Sequence, residues 1–312
     1  MSKTIDFHHH VTPPEYVAEM AKLGIVGNTG IKFPEFDARK NLKLMDRTKI
    51  DKAMLSISTP GVYVKNDQLS AKLARLCNDF IKSTVEEHSD RYGGLGTIPY
   101  PALEESLKET EYIFDTLKLD GIGILTNANG KYFGEPGYDE LFQELNRRNA
   151  IVFIHPEDLL IHEGAYMIVT VLFERCLSTV RSAYNLLLNG YLEKYPNIRF
   201  ILPHGGGGLP VMARRIVQEY LREENLPDNE DLFREKLSLL QNLYFDTAQK
   251  GIAILNSLNE FCGSDHIVFG SDIPQTPPQE VGMIHKELSA YEGFSLEEKE
   301  KIRVGSALKG NL

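Results

Sequence analysis

Short apolar runs of four to six residues recur along the chain, each closing on a polar or turn-forming residue. The longer stretches between them repeat their apolar positions at helical spacing. Eight runs read as strands: Thr4–His8, Ala53–Ser58, Gly93–Ile98, Gly121–Leu125, Ile151–His155, Arg199–Pro203, Leu243–Asp246 and His266–Gly270. Leu69, Leu73, Leu76 and Phe80 mark one helical face, and Leu103, Leu107 and Phe114 another. Pro101 falls near the start of that second helix and Gly121 beyond its end, the punctuation a helix calls for.

Strand and helix signals in alternation imply parallel pairing, and eight rounds close a (β/α)8 TIM barrel. A doubly wound open sheet is the rival, but no Gly-x-Gly-x-x-Gly turn follows the first run. Residues 11–37, rich in Pro and Gly, are too long for a tight βα connection and are expected to form a small insertion, or lid, over the barrel mouth. Residues 159–169 form another candidate rim loop. No internal repeat or low-complexity tract interrupts residues 1–312, which read as one domain.

Composition narrows the functional classes. A chain of 312 residues that is 42% hydrophobic and 25% charged suits a soluble barrel. Its formal net charge of −10 argues against nucleic acid or an anionic membrane as the main partner. Cys77, Cys176 and Cys262 have no metal-type spacing, the first residues carry no apolar leader, and no run is long enough to span a bilayer. A reducing cytoplasm is the expected setting, with all three thiols packed or idle.

The chemistry concentrates at the ends of the strand-like runs, which a parallel barrel gathers at one mouth. His8 and His10 are two apart, so a strand turns both to one side and His9 to the other. They are candidate metal ligands, or else an exposed polar patch or tag residues. His155 ends Ile-Val-Phe-Ile and precedes Pro156; it is a ligand or a buried structural histidine. Asp272 closes Val-Phe-Gly-Ser-Asp, as a ligand or as a loop cap. Three imidazoles and one carboxylate together form a site suited to Zn2+, Mn2+ or Fe2+. His204 precedes four glycines that leave room beside its ring, and reads as a general acid/base or as a solvated turn residue. His88, His162, His266 and His285 are not expected to be ligands.

These pieces resemble the amidohydrolase superfamily, specifically its branch of metal-dependent decarboxylases similar to those of aminocarboxymuconate semialdehyde, γ-resorcylate and 6-methylsalicylate. The segments that carry the resemblance are Ile-Asp-Phe-His-His-His-Val-Thr-Pro-Pro-Glu-Tyr at 5–16, Leu-Met-Asp-Arg-Thr-Lys-Ile-Asp at 44–51, Leu-Ser-Ile-Ser-Thr-Pro-Gly-Val at 55–62, Phe-Ile-His-Pro at 153–156, Tyr-Pro-Asn-Ile-Arg-Phe-Ile-Leu-Pro-His-Gly-Gly-Gly at 195–207, Leu-Tyr-Phe-Asp-Thr-Ala at 243–248 and Val-Phe-Gly-Ser-Asp-Ile-Pro at 268–274. The resemblance implies His8, His10, His155 and Asp272 as metal ligands, with His204 and Asp272 catalytic. The fourth strand carries no lysine that could bridge two ions, so it implies one divalent ion per subunit, Zn2+ or Mn2+. It also implies a homodimer or higher homo-oligomer in which Arg215 reaches a neighbouring subunit's substrate carboxylate. Two positions depart from the pattern: Gln275 stands where an aromatic is frequent, and Gly-Ser-Ala at 305–307 replaces Gly-Asn-Ala.

The expected function is decarboxylation of a small carboxylic acid, hydroxylated aromatic or dienoic. Hydrolysis of an amide, lactone or related bond at the same single-ion site is the alternative, and a catalytically dead barrel would have lost ligands that are intact here.

Overall fold

Eight strands pair in chain order, every pair parallel: β1 (Ile5–His10), β2 (Lys52–Ser56), β3 (Tyr92–Thr97), β4 (Gly121–Leu125), β5 (Ile151–His155), β6 (Arg199–Leu202), β7 (Tyr244–Asp246) and β8 (Ile267–Val268). The computed structural model describes residues 3–28, 30–158, 173–227, 229–248 and 251–308. Beyond β8 the chain runs alongside β1 and closes the ring. Phe7 N donates to Phe269 O at 2.9 Å, Asp272 N to His8 O at 2.8 Å and His10 N to Ile273 O at 2.7 Å. The eight-stranded barrel expected from the sequence is therefore the observed fold, and each strand lies within two residues of its anticipated bounds.

Helices follow the strands and cover the barrel, including Asp67–Glu87 after β2, Leu103–Glu111 after β3 and Leu209–Glu223 after β6. Side-chain caps define several starts: Asp37 accepts from Lys40 N, Asn66 from Leu69 N, and Ser295 with Glu298 forms a reciprocal capping box. Phe114 falls in the wider turn Tyr112–Leu117, which extends the helix Leu103–Glu111.

Phe7, Met54, Leu95, Ile151, Phe153, Ile201, Val268 and Leu308 form a separate buried cluster drawn from six strands and the C-terminal turn, the filling of the barrel. β4 contributes glycine instead. A Cβ at Gly121 would stand 2.6 Å from Ile151 O, so only glycine lets β4 and β5 approach so closely. The larger cluster packs strands against helices.

Residues 11–37 contain the helix Pro14–Lys22 and a small antiparallel ribbon, Gly27–Asn28 with Ile31–Lys32. The ribbon is tied to the chain just beyond β5 through Asn28 Nδ2, which donates to Glu157 Oε1 at 3.0 Å and Asp158 Oδ2 at 3.1 Å. The candidate rim loop at 159–169, with His162, lies outside the described residues. Among the described residues, no helix is long and apolar enough to cross a membrane.

Candidate metal centre

The register between β1 and β2 shifts between Asp6 and His9. Phe7 therefore joins the barrel filling while His8 and His10 turn toward the mouth. His9 turns the other way, onto Asn41 of the helix Ala38–Thr48. The alternation expected along β1 is what separates His9 from its neighbours.

His8, His10, His155 and Asp272 offer ligand atoms that all lie within 4.8 Å of one another. Their hydrogen bonds show what those atoms present. His8 Nδ1 lies 2.7 Å from Asp246 Oδ2; a carboxylate only accepts, so Nδ1 carries a proton and Nε2 is the nitrogen left to meet an ion. Ser56 Oγ donates to His9 O, so it accepts from His10 Nδ1 at 3.1 Å, and since burial disfavours the charged ring His10 Nε2 presents a lone pair. The two Nε2 atoms stand 3.1 Å apart, and Asp272 Oδ1 lies 3.1 and 3.2 Å from them without making a hydrogen bond. His155 Nδ1 is likewise buried without a partner. Buried polar atoms left without hydrogen-bond partners, as Asp272 Oδ1 and His155 Nδ1 are, call for a cation among them, and three imidazoles with one carboxylate are a donor set for a borderline divalent ion. The residues fit such an ion.

The charges in the site agree. Burial opposes the His8 imidazolium, yet the carboxylates of Asp272 and Asp246 outweigh it and push the group up to about 10. Burial opposes the Asp272 carboxylate too, but His8 above all, with His10 and His204, holds it well below its usual range. Burial lowers His10, and lowers His155 to well below the ordinary imidazole value, helped there by the neighbouring rings. The pair of carboxylates asks for positive charge while two of the rings resist becoming its carriers.

His204 opens the tight turn His204–Gly206 after β6, with φ 53°. Its N–H donates to Asp246 Oδ1 at 2.8 Å, and its Nε2 lies 3.3 Å from Asp272 Oδ2. The glycines let this turn sit against β7: a Cβ at Gly206 would come within 2.8 Å of the Phe245 ring. His204 keeps 21% of its side chain exposed whereas His8 keeps none, so His204 lies nearer solvent and His8 deeper in the mouth. Asp272 also has positive φ, 62°, an uncommon backbone for a non-glycine residue and one that clusters at functional sites.

Arg215 does not join this group. It is exposed on the helix Leu209–Glu223, and its side chain makes no hydrogen bond or ion pair among the described residues. Adjacent Arg214 lies over the Phe233 ring at 4.8 Å. Gln275, three residues past Asp272, lines a small cleft with Asn28, Thr59 and Arg175.

Two residues escaped the sequence reading. Asp246 binds the His8 ring and the backbone N–H groups of His204 and Ala248, and Ser56 fixes the His10 tautomer. Both end strands, β7 and β2, the same signal that picked out His155, but neither stands beside a second metal-type residue.

A parallel barrel whose mouth gathers three imidazole acceptors and a carboxylate is that of a metal-dependent barrel enzyme. Residues 5–309 match the amidohydrolase family model, and the chain belongs to that family. It is 31% identical to the decarboxylase yanB of Aspergillus niger, covering 95% of this chain and 83% of that protein. It is 30% identical to the 6-methylsalicylic acid decarboxylase of Penicillium expansum, covering 98% and 95%. Among solved structures, 5-carboxyvanillate decarboxylase from Sphingomonas paucimobilis superposes with a TM-score of 0.85 at 20% identity, covering 98% of each chain, a likeness of fold. A dihydroxybenzoic acid decarboxylase from Polaromonas, solved with bound manganese and 2-nitroresorcinol, matches at a TM-score of 0.78 and 19% identity over 100% of this chain and 98% of that one.

Proposed function

We propose that this chain is a decarboxylase that depends on one divalent ion per subunit, Zn2+ or Mn2+, and acts on a small hydroxylated aromatic carboxylic acid. The observation that carries the reading is the convergence of His8 Nε2, His10 Nε2 and Asp272 Oδ1 within 3.2 Å of one another, beside partnerless His155 Nδ1. Relatives named decarboxylases, matched over 83% and 95% of their length, support the reaction type.

His8, His10, His155 and Asp272 would hold the divalent ion, which would supply Lewis-acid stabilisation of negative charge on the substrate's oxygens. The remaining work falls to the chain itself. As the bond between ring and carboxylate breaks and CO2 departs, its electron pair stays on the ring carbon, which must take up a proton. His204 Nε2 and Asp272 Oδ2, 3.3 Å apart at the mouth, are the pair that holds and delivers that proton. His204 regains it from solvent on its exposed side. Residues 11–37 act as a cover, with Asn28 clasping Glu157 and Asp158. Arg215 serves a partner subunit's substrate carboxylate within a homodimer, where its forked donors suit a carboxylate. The three free thiols agree with a reducing cytoplasm.

The test is to load purified protein with Mn2+ or Zn2+ and offer hydroxylated benzoic acids in heavy water. The expected result is CO2 release, with one deuterium on the carbon that bore the carboxylate. Hydrolysis of amides or lactones without any CO2 from the acids would assign the site to the alternative chemistry.

A further inference from the structure

Behind the ligands, on the side of β1 facing away from the mouth, lies a carboxylate with no part in the chemistry above. Asp6 is fully buried and accepts four hydrogen bonds. Its Oδ1 receives His8 N at 3.1 Å and Ser271 N at 2.9 Å. Its Oδ2 receives Ser271 Oγ at 2.6 Å and His9 Nδ1 at 2.9 Å. His9 Nε2 accepts in turn from Asn41 Nδ2 at 2.9 Å, and Asn41 Oδ1 from Tyr92 OH at 2.7 Å. Both oxygens of Asp6 and both ring nitrogens of His9 are thus partnered, as burial requires.

The donors that Asp6 chooses stand next to, or within, the ligand set. Ser271 precedes Asp272, and its two bonds to Asp6 brace the chain where Asp272 takes its left-handed backbone. The His8 N–H lies inside the register shift that turns His8 inward. Asp272 N returns to His8 O at 2.8 Å and closes the loop. One buried carboxylate thus clamps the first ligand strand to the last ligand loop at the seam of the barrel.

We propose that Asp6 is a positioning residue for the metal centre, setting the separation of His8 from Asp272 through Ser271 and the β1 bulge. This rests on the metal-site reading above, and partners outside the ligand set commonly govern affinity by about 10- to 100-fold. Asp6→Asn keeps the shape but places an amide donor against Ser271 Oγ and His9 Nδ1.

The experiment titrates Mn2+ into metal-free protein by calorimetry, and records thermal melting and the visible absorption of the Co2+ form, which reports ligand arrangement. Asp6→Asn is expected to stay folded, to bind Mn2+ about 10- to 100-fold more weakly and to alter the Co2+ spectrum. Ser271→Ala, which removes one of the four bonds, should shift both readouts in the same direction by less, and carries the test if Asp6→Asn does not fold. Tyr92→Phe, at the far end of the same chain of bonds, should lower melting while leaving Mn2+ affinity at the parent value. His155→Ala, lacking a ligand, should lose Mn2+ altogether. Parental affinity and spectrum in folded Asp6→Asn, or in Ser271→Ala where only that variant folds, with His155→Ala deficient, would overturn the positioning role alone. So would a loss in Tyr92→Phe as large as in Asp6→Asn. Parent protein that takes up neither Mn2+ nor Zn2+ would sink the metal reading and this role together.

Discussion

His8 Nδ1 and Asp246 Oδ2 lie 2.7 Å apart, a fully buried contact between the first and seventh strands. It decides which nitrogen of His8 faces the mouth. The other oxygen, Oδ1, is committed to the N–H groups of His204 and Ala248. In Asp246→Asn the amide oxygen would stay with those two donors, which turns Nδ2 toward His8 Nδ1, donor against donor. His8 must then move its proton to Nε2, the atom aimed at the ligand centre. The expected outcome is a folded protein whose Mn2+ affinity falls about 10- to 100-fold in calorimetric titration. Unchanged affinity would show that the His8 tautomer does not matter.

Removing the ion should cost stability because the buried Asp272 Oδ1 and His155 Nδ1 are then left without partners. With ligand at about a thousand times its dissociation constant, the linkage gain is about 4 kcal/mol. Dialysis against a chelator should therefore lower the melting temperature, and Mn2+ or Zn2+ should restore it. His155→Ala should show little of this recovery and little bound metal by elemental analysis. A full metal complement in that variant would strike His155 from the ligand set.

His204 meets Asp272 Oδ2 but is not one of the four converging groups. Replacing it with Ala is expected to leave metal content near the parent level and to lower kcat by about 100- to 10,000-fold, the span of a positioned acid or base. Loss of metal together with activity would move His204 from proton transfer to coordination.

What the sequence disclosed and what it hid divide along physical lines. The convergence of His8, His10, His155 and Asp272, with His204 beside them, was legible because each closes an apolar run, and a parallel barrel brings such ends together whatever the loops do. Asp6 and Asp246 were not, because their partners depend on a one-residue register shift in β1 and on backbone N–H groups 42 and 265 positions away. Periodicity sees neither. It separates His9 from His8 and His10, yet does not say that His9 binds Asp6 and Asn41. Arg215 shows a further limit, since on its own chain it is only an exposed helix residue.

If Arg215 serves a partner's site, its loss should act in trans. Arg215→Ala alone should raise KM for the acid while leaving metal content unchanged. Mixed with His204→Ala protein under conditions that exchange subunits, it should form hybrids with one intact site, so activity should recover above that of either variant. No recovery, despite verified exchange by mass spectrometry, would confine Arg215 to the surface of its own chain.

Gly270 gives a way to disturb Asp246 without replacing any polar side chain. A Cβ there would fall 2.8 Å from both Cβ and Cγ of Asp246 and 2.9 Å from its Oδ2. Asp246 cannot yield freely, because His8, His204 and Ala248 all hold it. Gly270→Ala should therefore weaken Mn2+ binding in the same direction as Asp246→Asn and cost about 1–3 kcal/mol through overpacking. The comparison is Gly282→Ala, in the helix Pro278–Ala290, where an added Cβ meets nothing within 4 Å. Alanine there should raise stability by about 0.5–1 kcal/mol and leave Mn2+ affinity alone. Equal metal affinity in the two variants would mean that Asp246 tolerates displacement, and that its hold on His8 is weaker than a 2.7 Å buried contact implies.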